Sequence, residues 1–270
     1  MLKYILGKAF LSSLIIMMLA VTISPEQANA EDLSMTEAIN IAGSQRMLSQ
    51  RILKAYAMQG MQILPKKSKQ QLDNAITRFS KQLKLLESFS SSQAYAKAIA
   101  KERLLWEPIK EMLTRAPTKE VAITLRLKIE KLLQQAHAAV VTLEEAAGFS
   151  SAKLVNLSGR QRMLSQRIAA LYMLQAWGIK DEIFSHDAEL AAHDFEVAME
   201  ELSSAEVNTT ALKKKWGEVA ALWRVYGLVS MVSDEVDPSV LSFKVKLVTD
   251  SADHILSLTN EITAMYANIH

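Results

Sequence analysis

The sequence is poor in the residues that cross-link or interrupt a fold. It contains no cysteine, 8 glycine and 5 proline residues in 270. No disulfide framework can form without cysteine, so stability must come from packing. A formal net charge of +2 gives no electrostatic basis for binding nucleic acid, and we expect no such partner. Abundant Ala, Leu, Lys, Glu and Gln, with no sustained two-residue alternation, predict an all-α protein of one or two domains.

A long apolar run occurs only within the first thirty residues. Lysines open this segment, an apolar stretch follows over residues 9–23, and Ala28-Asn29-Ala30 has the small-x-small pattern of a cleavage site. This order predicts a cleaved signal peptide over residues 1–30. The alternative is an uncleaved anchor, but the apolar run is shorter than the roughly 20 residues that a membrane-spanning helix needs. We therefore expect a soluble periplasmic protein, secreted through the signal peptide.

What the sequence does contain is an internal repeat. The eight letters QRMLSQRI occur at residues 45–52 and again at 161–168. Over the 17 positions that start at Asn40 and at Asn156, 11 are identical. Such self-similarity at a fixed offset indicates two copies of one structural module.

Later landmarks extend the repeat to almost the whole of the chain after the leader. Leu105-Trp106 recurs as Leu222-Trp223, and His137 recurs as His254, both at an offset of 117. We predict core positions for both tryptophans and core or boundary positions for both histidines. The predicted modules span residues 32–148 and 149–270.

Each module divides into four helical stretches with short links. Pro65 is predicted to end the first helix and Gly148 to end the last helix of the first copy. Helices of this length with short connections form antiparallel four-helix bundles, so two tandem bundles are predicted. The predicted helices span residues 34–64, 68–87, 93–115 and 118–147 in the first copy, and 150–177, 182–203, 209–233 and 238–267 in the second.

The repeated helix separates its side chains into two faces. At 100° per residue, Leu48, Ile52 and Tyr56 share the stripe that faces the core of their own bundle, with Gln45 beside them. Arg46 lies away from this stripe, among mostly small or polar neighbours, and Arg162 does the same in the second copy. Small side chains permit the close approach of a second helix.

Both copies place a glycine three residues before the arginine, at Gly43 and Gly159. Glycine inside a helix costs about 1 kcal/mol relative to alanine, so close helix packing or room for a ligand must offset that cost. Two such faces in contact would bring Arg46 and Arg162 together, where their like charges repel. A small oxyanion between them would remove the repulsion and accept hydrogen bonds from both guanidiniums.

Other polar residues of the octet receive different roles. Gln50 and Gln166 are predicted as additional ligand donors, whereas Arg51 and Arg167 point elsewhere on the helix and are predicted to be structural, in salt bridges or in helix-end contacts. The alternative for Arg46 and Arg162 is that they too are solvated or paired with nearby glutamates, as surface arginines usually are.

The segments AINIAGSQRMLSQRI (38–52) and NLSGRQRMLSQRI (156–168) resemble the signature of PilJ-type domains. These are the N-terminal sensor domains of type IV pili methyl-accepting chemotaxis transducers. The segments are also similar to the P-box of NarX-type nitrate/nitrite sensor kinases. The shared pattern is Asn-x-x-Gly-x-x-Arg-Met, with a second arginine five positions after the first.

The resemblance implies a periplasmic four-helix bundle in each copy. In the nitrate sensors, the P-box arginines of two first helices hold one nitrate across a subunit interface. By position, those arginines are Arg46 and Arg162, and the glycines before them are Gly43 and Gly159.

The sequence departs from this pattern near the arginines. The second copy has Arg160 where the first has Ser44, so the two halves of a site would differ in charge. Gln45 and Gln161 stand where the nitrate sensors have leucine. These differences leave the identity of the anion open.

Catalytic and metal-binding constellations are not evident. His186 and His193 lie seven positions apart, about 10 Å along a helix, which is too far for one metal ion. There is no glycine-rich phosphate loop and no supported nucleophile with a base. We therefore expect neither an enzyme nor a bound cofactor or metal.

We thus expect a periplasmic sensor or binding protein for a nitrate-like or nitrite-like oxyanion. Family members continue into a membrane helix and a signalling part, and we expect neither in this protein, so a separate membrane signalling or envelope protein would receive the signal. The two copies would pair within one chain as a pseudo-dimer, or between chains as a homodimer. The alternative is a helical interaction module of the cell envelope, related to type IV pili or chemosensory signalling, that uses its small-residue faces as protein contacts and binds no small molecule.

Overall fold

Eight α helices make up the secondary structure of the described residues, and no strand occurs among them. The computed structural model describes residues 33–148, 150–231 and 238–269. The predicted all-α class and tandem helical bundles are confirmed, whereas the predicted signal peptide lies outside the described residues. The helices are α1 (Met35–Gly60), α2 (Pro65–Ser88), α3 (Gln93–Met112), α4 (Lys119–Ala147), α5 (Ser150–Ala176), α6 (Glu182–Ser204), α7 (Thr210–Ser230) and α8 (Pro238–Ala267).

Local sequence explains most helix ends. Ser34 and Glu37 form a reciprocal capping box at the start of α1, in which each side chain accepts a backbone N–H of the other residue. Thr118 caps α4 by accepting the N–H of Val121. Gly148 ends α4 with φ of 66°, a left-handed conformation that glycine adopts without strain. Within the described parts of the chain, no helix is long and apolar enough to cross a membrane.

The link between α1 and α2 corrects one prediction. Helix α1 ends at Gly60, before the predicted position 64, and Pro65 begins α2 rather than ending α1. Proline suits the first helical turn because that position needs no N–H donor and the fixed φ of proline is already helical. Leu64, immediately before it, has φ of 50°.

Helices α1 and α5 form the centre of the molecule. Helix α1 packs against α2 and α4, helix α5 packs against α6 and α8, and the most extensive packing of all joins α1 to α5. Contacts pair the start of α1 with α5 through Asn40 and Arg162, and the end of α1 with the end of α5 through Gly60 and Trp177. The two helices therefore run parallel, and the bundles lie side by side within one chain.

Equivalent aromatic pairs fill the two bundle cores. Trp106 stacks on Phe79 with ring centroids 4.2 Å apart, and Trp223 stacks on Phe195 at 4.1 Å. Both tryptophans are buried, which confirms their predicted core positions. The repeat in the sequence thus corresponds to a repeat in the packing of the two bundle cores.

A candidate anion site between the two repeated helices

The two repeat glycines lie where both arginine side chains converge. A Cβ atom on Gly159 would lie 2.9 Å from Nη2 of Arg162 and 3.5 Å from Nη2 of Arg46. A Cβ atom on Gly43 would lie 3.2 Å and 3.4 Å from the same two nitrogen atoms. The glycines thus leave space for both guanidiniums between α1 and α5, and the predicted meeting of the arginines occurs within one chain.

Each guanidinium reaches across to the other repeated helix. Nη2 of Arg46 donates to the backbone oxygen of Asn156 over 3.2 Å, and Nη2 of Arg162 donates to that of Asn40 over 3.4 Å. Asn40 and Asn156 are equivalent positions of the repeat. The pair of bonds gives the interface approximate two-fold symmetry.

The remaining arginine contacts break that symmetry. Nη1 of Arg46 lies 3.2 Å from Nδ1 of His137 on α4. Nη1 of Arg162 instead donates to the amide oxygens of Asn40 (2.9 Å) and Asn260 (3.3 Å). A guanidinium has no acceptor, so Nδ1 of His137 must accept. Partial removal of the His137 imidazole from water where it contacts Arg46, followed by the positive charges of Arg46 and Arg160, lowers the pKa of His137 and favours that neutral form.

Both guanidiniums are buried, and neither forms an ion pair among the described residues. The negative charge of Glu144, whose carboxylate accepts from Asn156, nevertheless acts on Arg46. Arg46 is 1% exposed and Arg162 is 4% exposed. The Nε atom of each has no hydrogen-bond partner in the described structure. Burial lowers the pKa of Arg46 to about 9, with a further contribution from the charge of Arg162, and lowers the pKa of Arg162 to about 10.

This arrangement is electrostatically incomplete. Both guanidiniums remain protonated at neutral pH, because arginine does not lose its proton under such conditions. Buried charges are costly unless a partner of opposite sign accompanies them. The hydrogen-bond partners of Arg46 and Arg162 are neutral amides, carbonyls and an imidazole. Glu144 acts on Arg46 alone, and the charge of Arg78 adds to the repulsion at Arg162, so the interface can accept a small anion.

The other predicted site residues point elsewhere. Gln166 is buried and its Nε2 donates to the backbone oxygen of Ala252 on α8, 3.1 Å away. Gln50 is also buried, with its Nε2 3.4 Å from Oγ of Ser49. Neither amide bonds to an arginine of the pair, so their role as ligand donors stays a prediction.

The second arginines of the octets form the salt bridges predicted for them. Arg167 pairs with Glu130 at 2.6 Å and with Asp187 at 3.2 Å, and Arg51 lies 3.8 Å from Asp253. Gln45 faces the core of its own bundle, as predicted, and donates to the backbone oxygen of Phe79.

Sequence reasoning missed the part that His137 plays. His137 and His254 are exposed, so the core alternative for them is wrong. His137 lies at a cleft of about 280 Å³ that runs between α4, α5 and α6 and is also lined by Arg46. The recurrence of a histidine at both positions was the available signal, but nothing in the sequence placed α4 beside Arg46.

A family model described as "Type IV pili methyl-accepting chemotaxis transducer N-term", PilJ, matches residues 28–140 and 148–227. These segments cover more than half of the chain, and they contain both arginine helices. The chain belongs to the PilJ family. It is therefore a helical module related to chemotaxis transducers, and the family is one of sensory domains rather than of enzymes. No curated protein and no solved structure matches the chain.

The PilJ module also lacks an evident metal centre in its described parts. No group of three or more His, Cys, Asp or Glu side chains in residues 33–148, 150–231 and 238–269 is placed to hold a metal ion. His186 and His193 are exposed on α6.

Proposed function

We propose that this PilJ protein is a sensory binding protein that holds a small oxyanion between Arg46 and Arg162, with nitrate and nitrite as the leading candidates. The observation that carries the proposal is the convergence of two buried, unpaired guanidiniums beside Gly43 and Gly159. An oxyanion offers several acceptors to such donors and offsets their mutual repulsion.

The similarity of the octets to the P-box of nitrate sensors supports this assignment. In those sensors two subunits each supply one arginine. Here α1 and α5 supply both from one chain, so the pseudo-dimer takes the place of the homodimer. Arg160 has no counterpart at Ser44 and is paired with Asp194, whereas the first copy has Arg78 at the repeat position of Asp194. The two sides of the site therefore differ in the charges around them.

Anion binding would be coupled to the packing of the two bundles. The anion would bridge α1 and α5, which are the central helices and which each support two further helices of their own bundle. A change in their separation would therefore reach the surfaces of both bundles. We propose that a separate membrane or envelope protein reads this change, and that the protein acts in the periplasm.

Calorimetry tests the proposal directly. Nitrate and nitrite are titrated into the wild type, Arg46→Gln, Arg162→Gln and the matched control Arg51→Gln, which alters the other octet arginine on the same helix. We expect binding by the wild type and the control and none by the first two variants. No binding by the wild type, or equal binding by all four proteins, would overturn the proposal. Thermal denaturation of each variant confirms that it is folded.

A second candidate function is docking on an envelope or chemosensory protein without a small ligand. The small-residue faces of α1 and α5 cover each other and are not free to bind a partner. The observation that favours docking is a set of exposed apolar side chains where α7 ends and α8 begins, at Leu228, Met231 and Phe243. Changing Leu228 and Phe243 to aspartate would abolish cross-linking to a defined transducer while leaving anion affinity unchanged, if this surface docks.

A further inference from the structure

The cleft between α4, α5 and α6 extends from Arg46, one arginine of the pair, along a set of apolar side chains. Arg46, His137 and Arg160 line it near the anion site. Its middle is formed by Leu133, Met163, Leu164, Leu190 and Ala191. A volume of about 280 Å³ corresponds to roughly nine water-sized groups at ~30 Å³ each, which far exceeds the size of nitrate.

The apolar side chains of the cleft form a buried floor and an exposed rim. Met163, Leu164 and Ala191 are at most 7% exposed, whereas Leu190 on α6 is 50% exposed. A buried apolar floor gains free energy when an apolar group of a ligand replaces the water above it.

The acidic side chains of the cleft are already engaged. Asp194 pairs with Arg160 at 2.6 Å, Glu130 with Arg167 at 2.6 Å, and Asp187 with both Arg126 and Arg167. Arg46 is the cleft cation that forms no ion pair among the described residues, although the charge of Glu144 acts on it, and it belongs to the anion site. The charge pattern therefore selects a ligand that is anionic at the arginine end and apolar in its body.

The other bundle has an equivalent cleft with different chemistry. Helices α1 and α2 enclose about 400 Å³ lined by Leu48, Arg51, Lys67, Gln71, Asn74, Ala75 and Arg78, among others. In this cleft, Asn74 occupies the position that is equivalent in the repeat to Leu190, and Gln71 occupies the position that is equivalent to Asp187. Arg162 does not line this cleft, so its polar surface is separate from the anion site.

We propose that the cleft between α4, α5 and α6 binds a small organic carboxylate with an unbranched or aromatic apolar body. Its carboxylate takes the oxyanion position at Arg46, beside His137, and its body lies over Leu164, Met163 and Ala191. The equivalent cleft of the first bundle takes no such ligand. This inference rests on the proposed anion site, and it extends the ligand class from inorganic anions to amphipathic monocarboxylates.

The probes are acetate, butyrate and hexanoate, with nitrate titrated in parallel. Affinity is expected to rise about fourfold for each methylene group that enters the apolar floor. Hexanoate and nitrate are expected to compete, because both need Arg46. Hexanoate that binds no more tightly than acetate, or that binds together with nitrate without competition, would overturn the inference. Nitrate binding with no gain along the series leaves the proposed function standing and removes only this extension.

Matched substitutions in the two clefts locate the binding. Ala191→Leu narrows the apolar cleft, and Ala75→Leu makes the same change at the repeat-equivalent position of the other cleft. We expect Ala191→Leu to weaken hexanoate at least tenfold without altering nitrate affinity, and Ala75→Leu to change neither. Equal effects of the two variants on hexanoate would contradict the proposed location.

Ala191 and Ala75 are buried, so their leucine variants could fail to fold. Substitutions at the exposed positions Leu190 and Asn74 test the same two clefts without that risk. Leu190→Asp adds a negative charge and removes the apolar rim, and Asn74→Asp adds the same charge in the equivalent cleft. Hexanoate affinity should fall at least tenfold in Leu190→Asp and stay within twofold in Asn74→Asp. Unchanged hexanoate binding by Leu190→Asp would count against the cleft.

Discussion

Lys54 of α1 and Asp253 of α8 form an ion pair that joins the two bundles, with Nζ 2.7 Å from Oδ1. Lys54 is completely buried, and Gln71 of α2 donates to the second carboxylate oxygen of Asp253. The repeat-equivalent positions are Ala170 and Ala136, both buried. The buried ion pair of Lys54 and Asp253 thus has an apolar counterpart at the repeat-equivalent positions. The ion pair between α4 and α5 on that side instead joins Glu130 to Arg167.

Removing one partner of this pair is predicted to destabilise the protein strongly. Asp253→Ala leaves the Lys54 ammonium buried without its closest anion, and breaking such pairs costs about 3–5 kcal/mol. Lys54→Met together with Asp253→Ala should recover most of that loss, since no fully buried charge is then left unpaired and Arg51, which also loses Asp253, is partly exposed. Urea denaturation measures the free energy of unfolding of the single variant and of the double variant. The control is Asp250→Ala, because Asp250 is more exposed and its loss should change stability by less than about 1 kcal/mol.

Glu102 is predicted to make stability depend on pH. It is 1% exposed, and neither carboxyl oxygen has a hydrogen-bond partner in the described structure. Burial, followed by the charge of Glu87, raises the pKa of Glu102 to about 8. Between pH 4.5 and 8 the folded state therefore binds more protons at Glu102 than the unfolded state, so its contribution to stability falls as pH rises.

Replacing Glu102 by valine should remove this dependence. Valine occupies the repeat-equivalent position, Val219, which is fully buried. At 1.36 kcal/mol per pKa unit, the variant should gain roughly 3 kcal/mol over the wild type at pH 7 and much less at pH 4.5. Unfolding free energies measured across this range provide the check. A constant difference between the two proteins would show that the carboxyl group does not titrate in this way.

Alanine at the repeat glycines is predicted to damage the site rather than the fold. The new Cβ atom of Gly159→Ala would lie 2.9 Å from Nη2 of Arg162, so that guanidinium must move. We expect at least a tenfold loss of anion affinity, with a smaller loss in Gly43→Ala, where the nearest distance is 3.2 Å. Gly217→Ala on α7 is the control, because nothing lies within 4 Å of its Cβ position. It should keep full affinity and gain about 0.5–1 kcal/mol of stability.

Gly60→Ala is predicted to separate the ends of the central helices. Its Cβ atom would lie 2.0 Å from Cζ2 of Trp177, a distance that the rigid indole cannot tolerate without moving. Overpacking of this kind costs about 1–3 kcal/mol. Thermal denaturation should show a lower Tm for Gly60→Ala, and Trp177→Leu in the same chain should relieve much of the additional loss. If Gly60→Ala alone matched the wild type in Tm, the close approach of α1 to Trp177 would not hold in solution.

Particular residues show what could be foreseen from sequence. The offset of the two octets predicted two modules, and the helical angle between Arg46 and the stripe of Leu48 and Ile52 predicted that the arginine faces away from its own core. Both follow from local geometry that a regular helix imposes. The prediction for Pro65 is wrong because proline can end one helix or begin the next, and only the path of the chain distinguishes the two cases.

The sequence by itself therefore determined the helices, their repeat, and the face on which each arginine lies. Tertiary structure decided that α1 and α5 pack in parallel within one chain, which buries Arg46 and Arg162 together. It also decided that His137 meets Arg46 and that one cleft, but not its equivalent, reaches an arginine of the pair. Side-chain periodicity is a property of a single helix. These relationships depend instead on which helices pack together and at what distance, and many residues far apart in the chain jointly determine that packing.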